Sequence, residues 1–206
     1  MAHMKDTITS VAIDLFFKKG YFATSISEIA RGCGIQKASI YYHFPGKEDL
    51  LFAIMQTTMT DLMAGLKAEL GTTDRIEGKM RAAVRNHIRF HLDRQKETFI
   101  ASSELRGLCP DHLKDLVAQR DEYESIFQGL ICTGIAEGVF AHNDVKVLSY
   151  AILTLCTAGA AWYRPEGRLS AEQIAAIYEN FVLTGLKHGQ PISARPAELV
   201  CEPWPL

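Results

Sequence analysis

The sequence predicts an all-α protein of about nine helices. Apolar residues recur every three to four positions along nearly the whole chain of 206 residues, and no stretch shows the period of two that a half-buried strand would have. Many glycines and prolines lie between these periodic stretches, where they would end helices. Serine followed three residues later by glutamate or glutamine, the capping-box pattern, occurs at Ser25 and Ser170. These observations indicate helices with defined starts and stops.

The first three predicted helices form a small N-terminal domain, which we expect over residues 5–50. Their expected ranges are 8–19, 26–32 and 36–43. Gly20 ends the first helix, Ser25 caps the second, and Pro45 follows the third. Two short helices joined by a glycine-containing turn are typical of a helix-turn-helix, whose second helix can enter the DNA major groove.

Six further helices are predicted in a second domain over residues 51–189, the first of them starting at Lys47. Their expected ranges are 47–71, 74–92, 98–106, 111–138, 144–163 and 170–189. The remaining residues, 190–206, contain four of the seven prolines, so we expect an irregular tail.

The distribution of charge favours an anionic partner for the N-terminal domain. The whole chain has a formal net charge of −2, which gives no general indication of a nucleic-acid or membrane partner. From Lys5 to Lys47, however, six lysines and arginines stand against three acidic residues, a local charge of +3. A basic segment on an acidic body is expected when that segment alone binds an anion.

The cysteines and the apolar segments favour a cytoplasmic protein. The five cysteines are an odd number without a C-x-x-C pair, so we expect reduced thiols. The N-terminus lacks a signal-peptide pattern, and its first residues, MAHM, resemble a cloning remnant. The most apolar stretch, 147–163, has 17 residues, fewer than the roughly 20 of a membrane span, and we expect a buried or interface helix there.

Three motifs lie close together near the N-terminus. They are A-x-x-L-F-x-x-x-G-Y at 12–21, T-S-I-x-E-I-A at 24–30 and G-x-x-x-x-x-x-Y-Y-H-F-x-x-K-E-x-L at 34–50. Over residues 8–51 the chain resembles the DNA-binding domain of TetR-family transcriptional regulators. The resemblance implies a three-helix DNA-binding domain, followed by a larger helical domain that binds a small ligand and dimerises through its last two long helices.

Two residues depart from the family pattern. Gln36 stands where the family usually opens the recognition helix with serine or threonine, and we expect it to influence operator choice. Gly46 stands where the family favours serine, a mild change because glycine is nearly as good a helix N-cap.

The DNA contacts that this resemblance implies fall into two groups. Phosphate contacts are expected from Thr24, Ser25, Tyr42, His43 and Lys47, and base-edge contacts from Gln36, Lys37, Ser39 and Tyr41. Lysine suits the O6 and N7 atoms of guanine, and glutamine suits the N6 and N7 atoms of adenine. The alternative is a solvated helix end with its tyrosines packed on the domain.

The second half resembles the regulators of fatty-acid, steroid and related CoA-thioester catabolism. The matching stretches are 104–127, 136–147 and 160–186, whereas the small residues of 157–161 replace larger side chains found in some of those regulators. We therefore expect a repressor that a large amphipathic effector, an acyl-CoA-type thioester, releases from a palindromic operator. The expected ligand-binding residues are Met59, Met63, His87, Phe90, Arg120, Phe127 and Trp162.

Several assignments in the second domain stay open. Arg120 either anchors an anion or pairs with Glu104 or Glu124. Trp162 either gates a pocket or packs at a dimer interface. The expected dimer residues, on the last two helices, are Leu148, Ile152, Leu155, Ile174, Ile177 and Phe181.

His87 and His91 have the i, i+4 spacing of two metal ligands, but no third ligand is evident unless His112 folds in, so we expect neither a metal nor a cofactor. Three other functions compete with the acyl-CoA repressor. A multidrug-type repressor would share the fold, and a DNA-binding protein without an effector could respond to oxidation through Cys33. An enzyme would need a nucleophile with an ordered base, paired acids or a glycine-rich phosphate loop, and the sequence shows none of these.

Overall fold

The structure, a computed structural model, describes residues 2–189, and every regular element within that range is helical. The helices are α1 (Ala2–Lys19), α2 (Ile26–Gly32), α3 (Lys37–His43), α4 (Lys47–Leu70), α5 (Ile76–Asp93), α6 (Gln95–Ser103), α7 (Pro110–Ala136), α8 (Val145–Trp162) and α9 (Ala171–His188). A 3-10 turn, Leu105–Gly107, lies between α6 and α7. The predicted all-α fold is confirmed, and the expected tail over 190–206 lies outside the described residues.

The chain forms two compact units. The first contains the described residues up to Asp61 together with Arg94–Arg120, and the second contains Leu62–Asp93 and the described residues from Asp121 onward. The boundary differs from the predicted one between residues 50 and 51, because the first part of α4, all of α6 and the start of α7 belong to the first unit.

The core of the first unit is built by the predicted apolar stripes. Ile8, Phe16, Ile29 and Ile40, from α1, α2 and α3, are completely buried, and each contributes roughly 1.5–3 kcal/mol by leaving water. The turn between α2 and α3 contains Gly34 with a φ of 67°, a left-handed conformation that glycine adopts without steric cost. These residues fix how α3 is held on the unit.

Helix α6 begins earlier than predicted. The predicted range began at Thr98 and ended at Arg106. In the structure α6 starts at Gln95, and Thr98 is buried inside it with its hydroxyl donating to the Arg94 carbonyl oxygen at 2.9 Å. A threonine whose hydroxyl bonds back to the carbonyl four residues earlier can be accommodated inside a helix, as Thr98 is here.

In the second unit, α5 packs against α8 and α9. Close approach to α8 depends on Gly159, where a Cβ atom would lie 2.8 Å from Cδ1 of Ile88. Between α5 and α9, Arg85 donates from Nε and Nη2 to the two carboxylate oxygens of Glu179 at 2.7 and 3.0 Å. Both packing and a two-pronged ion pair therefore hold α9 on α5.

Helix α8 is unusually apolar for its exposure. Among the described helices it alone is long and apolar enough to span a bilayer by length and composition, with a mean hydropathy of 1.4, yet only 22% of it is buried within the chain. Length and composition alone are weak evidence for a membrane span. Most of this apolar helix is not buried by the rest of the chain.

Candidate nucleic-acid interface and buried polar cluster

Helix α3 has one face in the core and one in solvent. Ile40 and, just after the helix, Phe44 are buried and fix its rotation. Residues of the opposite face, all expected to contact DNA, are exposed: Gln36, Lys37, Ser39, Tyr41 and Tyr42. The structure therefore gathers these five predicted residues on one surface, which we call the α3 surface.

The side chains of the α3 surface have few internal roles. Gln36 occupies the N-cap position of α3, but its side chain makes no capping hydrogen bond. Lys37 Nζ lies 5.8 Å from the centre of the Tyr41 ring, within cation–π range. A lysine held beside an exposed phenol can present its ammonium group to base edges or to phosphates.

Thr24 and Ser25, both expected to contact phosphate, also have structural roles, and only that of Ser25 was predicted. Thr24 is buried, and its hydroxyl donates to the Gly20 carbonyl oxygen at 2.9 Å. Ser25 Oγ accepts the Glu28 N–H at 3.2 Å, and Glu28 accepts the Ser25 N–H at 2.9 Å, which confirms the predicted capping box. Lys19 pairs with Glu28 at 2.6 Å, and this hydrogen bond lowers the pKa of the Glu28 carboxyl to about 2.

Lys47 is held by the backbone of the turn before α2. Its Nζ donates to the carbonyl oxygens of Tyr21 at 3.0 Å and Thr24 at 2.8 Å, and lies 4.2 Å from the Tyr21 ring centre. Partial burial lowers the pKa of Lys47. Lys47 therefore has a structural role in addition to the phosphate contact predicted for it. His43, the other basic residue expected to contact phosphate, is half-buried with its ring edge-on to Tyr42.

A cluster of polar and aromatic side chains lies in the second unit, and we call it the α5 polar cluster: the buried His87, His91, Tyr123 and Phe127, and the half-buried Thr157. His87 Nδ1 lies 3.0 Å from the Tyr123 hydroxyl, and His87 Nε2 lies 3.1 Å from Thr157 Oγ1. The His91 ring centre is 4.5 Å from that of His87, and His91 Nδ1 is buried without a hydrogen-bond partner among the described residues.

Burial sets the protonation of the α5 polar cluster. Desolvation lowers the pKa of His91 to about 4 and, with the charge of His91, lowers the pKa of His87 well below its usual value. Desolvation also holds the pKa of the Tyr123 phenol far above its usual value. At neutral pH the cluster is therefore uncharged, and its side chains can donate and accept hydrogen bonds within the second unit.

Arg120 makes neither of the expected ion pairs in the described part of the chain. Its Nη2 donates to the Ala101 carbonyl oxygen, 2.6 Å away in the last turn of α6, and burial lowers its pKa. Carbonyls at a helix C-terminus lack helical partners, so a guanidinium there is favourable. Of the two alternatives left open by the sequence, the pairing with Glu104 or Glu124 is not formed, and Glu124 instead accepts from Gln128 and Ser149.

The other residues expected to bind a ligand differ in exposure. Met59 and Phe127 are buried, Met63 and Phe90 are half-buried, and Trp162 is exposed. Trp162 lines a cavity of about 210 Å³ at the end of α8 with Tyr163, Arg164 and Arg168. That volume is below the roughly 300–1,000 Å³ of pockets for drug-sized ligands.

The residues expected at the dimer interface also differ in exposure. Ile152 and Ile174 are buried in the core of the second unit, and Leu148 is half-buried. Leu155, Ile177 and Phe181 are exposed, and Phe181 is 68% accessible. These three, with the exposed Val147 and Tyr150, form what we call the α8–α9 apolar face.

Among the described residues, one group of three metal-capable side chains comes together, and it does not include His87 or His91. It consists of Glu48, Cys109 and His112. The sequence analysis considered His112 only as a partner for the α5 histidines. Cys109 and His112 follow Glu48 by 61 and 64 positions in the chain. No local spacing could therefore have identified the group.

Comparison with known families matches both parts of the chain. Residues 8–54 match bacterial regulatory proteins of the tetR family, and residues 73–186 match the tetracyclin repressor-like C-terminal domain.

Individual relatives extend over nearly the whole chain. The HTH-type transcriptional repressor KstR2 of Mycolicibacterium smegmatis is 26% identical over 191 residues, which cover 92% of this chain and 93% of that protein. A tetR-family regulatory protein from Rhodococcus RHA1 is similar in structure, with a TM-score of 0.84 and 26% identity over 89% of this chain and 97% of that one. The structure of AibR in complex with isovaleryl coenzyme A and operator DNA has a TM-score of 0.79 and 27% identity, covering 86% of this chain and 97% of AibR.

Proposed function

This chain belongs to the TetR family of DNA-binding transcriptional regulators, and we propose that it is a homodimeric cytoplasmic repressor whose operator complex is released by an acyl-CoA thioester. Family membership makes it a regulator and not an enzyme. The repressing action, the dimer, the compartment and the effector are the parts proposed here.

The α3 surface is the proposed site of operator reading. It carries a lysine, an amide, a hydroxyl and two phenols on an exposed helix face, and side chains of these types reach base edges and phosphates. We assign base reading to Gln36, Lys37, Ser39 and Tyr41, and phosphate contact to Tyr42 and His43. Ser25 is exposed at the N-terminus of α2, where backbone N–H groups favour a phosphate.

Thr24 and Lys47 contribute to the proposed DNA interface by ordering its backbone. Both hold the turn between α1 and α2 through its carbonyl oxygens. An ammonium with two carbonyl acceptors has a third N–H to donate, so Lys47 can add one phosphate contact without leaving the turn.

The observation that carries the effector proposal is the similarity to AibR, whose structure was determined with isovaleryl coenzyme A and operator DNA. The relatives named KstR2 support a regulator of the same general kind. A CoA thioester combines an apolar acyl group, a carbonyl and several phosphates, and the protein must offer complementary groups for each.

Two features of this chain suit such a ligand. The α5 polar cluster is neutral, and in its Nδ1–H tautomer the unpartnered His91 can donate a hydrogen bond to an uncharged acceptor such as a thioester carbonyl. Arg120 is half-buried with a carbonyl as its partner among the described residues, so its charge is incompletely neutralised and favours an anion.

Release from the operator requires the effector to favour a conformation that DNA does not. An effector shifts such an equilibrium only by the difference between its affinities for the two conformations. Helix α4 begins directly after the α3 surface and ends in the second unit, so it is the covalent route by which the effector can act on DNA binding.

The test is a titration of the purified repressor–operator complex, followed by electrophoretic mobility. The operator would first be selected from random DNA with the protein itself. Branched, long-chain and ring-bearing CoA esters would then be compared with free CoA, the free acids and neutral aromatic drugs. We expect release by at least one CoA ester at a concentration at which its free acid has no effect.

Variants at one arginine sharpen that test. Arg120→Gln should weaken the response to the active CoA ester by roughly tenfold, the equivalent of about 1.4 kcal/mol, without changing operator affinity. Arg106→Gln, an exposed arginine in the same unit, is the matched control and should respond normally. Release by neutral aromatic drugs with no response to any CoA ester would replace this proposal with a multidrug-type repressor.

A further inference from the structure

Three side chains of metal-binding type converge in the first unit. Glu48 lies in the first turn of α4, Cys109 immediately precedes α7, and His112 lies in the first turn of α7. One ligand atom from each can be chosen so that all three lie within 4.8 Å of one another.

The group is already partly ordered. His112 Nδ1 lies 2.8 Å from Glu48 Oε1, and the Cys109 N–H donates to the same oxygen at 3.1 Å. Phe52, one turn along α4, stacks on the imidazole with ring centres 3.8 Å apart and planes within 4° of parallel. The orientation of the ring is thus fixed by packing on one side and by the carboxylate on its edge.

We propose that these residues bind a zinc ion through Cys109 Sγ, His112 Nδ1 and a Glu48 carboxylate oxygen, with water as the fourth ligand. Thiolate, imidazole and carboxylate are the protein ligands of zinc, and three of them plus water make a four-coordinate site. Magnesium and calcium prefer oxygen ligands alone, so the thiol and the imidazole select a softer metal.

The spacing suits this coordination. Zinc bonds of about 2.0–2.3 Å in a tetrahedron separate the ligand atoms by roughly 3.3–3.8 Å. The present separations run from 2.8 Å, between nitrogen and oxygen, up to the 4.8 Å limit of the group. Small side-chain rotations therefore suffice, without a change in either helix.

Binding exchanges protons for the metal. The Cys109 thiol loses its proton to solvent. His112 binds zinc through Nδ1 with its remaining proton on Nε2, which requires a tautomer shift of a neutral ring or loss of the Nδ1 proton from an imidazolium, so the ligands present a thiolate, a neutral imidazole and a carboxylate. Cys109 is exposed, which gives the ion a path from solvent. The bound ion would tie the first turn of α4 to the start of α7 and so stabilise the first unit.

The alternative is that Glu48 and His112 form an ordinary hydrogen bond and that Cys109 is adjacent by chance. The full-length protein, stripped of metal and kept reduced, distinguishes the two. Titration with Co²⁺ should give about one ion per chain, with the intense thiolate-to-cobalt absorption of a tetrahedral site. Zn²⁺ should displace that spectrum and raise the melting temperature of the protein.

Variants assign the ligands. Cys109→Ser should abolish the thiolate absorption, and His112→Gln should weaken zinc binding by about tenfold or more. The matched controls are Cys132→Ser and His142→Gln, and both should bind zinc as the unsubstituted chain does. Circular dichroism of the metal-free variants checks that each is folded.

Two outcomes would overturn the zinc site: a cobalt complex without thiolate absorption, or Cys109→Ser protein that binds zinc as tightly as the original. Neither measurement uses operator DNA or a CoA ester. Failure of the zinc site and failure of the proposed repressor are therefore separate results.

Discussion

At the scale of single residues, the α5 polar cluster makes the stability of the protein depend on pH. His87 and His91 are buried and neutral, and the pKa of His91 is lowered to about 4. The unfolded chain binds protons at these histidines near pH 6.5, whereas the folded chain does not until the pH is much lower. Stability is therefore greatest above about pH 6.5 and falls as the pH decreases from there toward 4.

His91→Leu should remove part of this dependence. For His91 alone, lowering the pH from 7 to 5 should cost the original protein about 2 kcal/mol of unfolding free energy, at about 1.4 kcal/mol per pH unit below 6.5. The variant should lose the pH dependence of stability that His91 contributes and keep the part that His87 contributes. Urea unfolding at a series of pH values measures both, with exposed His142→Gln as the control. An unchanged slope in His91→Leu would show that folding does not lower the pKa of His91.

Lys37 is the residue best placed to select the operator. It is exposed on α3, and a bidentate lysine–guanine contact discriminates by about 1–3 kcal/mol. Lys37→Ala should therefore change which operator is preferred, not merely weaken binding. Lys18→Ala, which removes an exposed charge near the end of α1, is the control. Competition between the selected operator and its base-substituted forms measures the preference, and equal losses on specific and random DNA would contradict base reading.

Lys47 and Thr24 show where prediction from sequence reached its limit at this scale. The motif identified both as residues of a DNA-binding domain, and the family match agrees. The motif could not identify their partners, because the carbonyl oxygens of Tyr21 and Gly20 become available only when the turn has formed. A polar side chain that serves the backbone and one that serves a ligand have the same sequence signature.

At the scale of helices, the sequence predicted a helix start correctly where the start depends on residues only a few positions apart. The capping boxes at Ser25 and Ser170 depend on a serine and its neighbour three positions on, and both form as predicted. The start of α6 depends on whether Thr98 faces solvent or the core, which its own sequence does not determine. Thr98 is buried by residues distant in sequence, which a local pattern does not show.

The ion pair between α5 and α9 should respond asymmetrically to its two single substitutions. Glu179 is 3% exposed, whereas Arg85 is 42% exposed and can also approach Glu172. Arg85→Met leaves a buried carboxylate whose nearest remaining cation is Arg81 at 3.9 Å, and we expect a loss of about 2–4 kcal/mol. Glu179→Gln leaves a half-solvated guanidinium and should cost about 1 kcal/mol.

Urea unfolding at pH 7 compares the two variants, with Arg89→Met as the control for an exposed arginine of the same helix. Equal losses for Arg85→Met and Glu179→Gln would mean that Glu179 reaches water or another cation when Arg85 is removed.

At the scale of the whole molecule, the α8–α9 apolar face exposes large apolar residues that no other part of the described chain buries. Apolar periodicity predicted both helices, but it could not separate residues of the chain's own core from residues left exposed. Ile152 and Ile174 proved to be core, whereas Ile177 and Phe181 are exposed. Several large apolar residues exposed on the last two helices are typical of an interface, and a second copy of the chain is the occupant that the proposed palindromic operator requires.

Phe181→Glu should therefore produce monomers. A stable dimer buries about 1,200–2,000 Å² in all, and an unpaired carboxylate inside such a surface is strongly unfavourable. Phe22→Glu is a closely matched control, because Phe22 is 67% exposed against 68% for Phe181 but lies between α1 and α2. Sedimentation should show monomers for Phe181→Glu and dimers for Phe22→Glu. The monomer should also lose most operator affinity, because two recognition helices spaced for successive half-sites are no longer joined. If Phe181→Glu aggregates, Ile177→Glu serves as the second variant, and a soluble dimer in both cases would place the interface elsewhere.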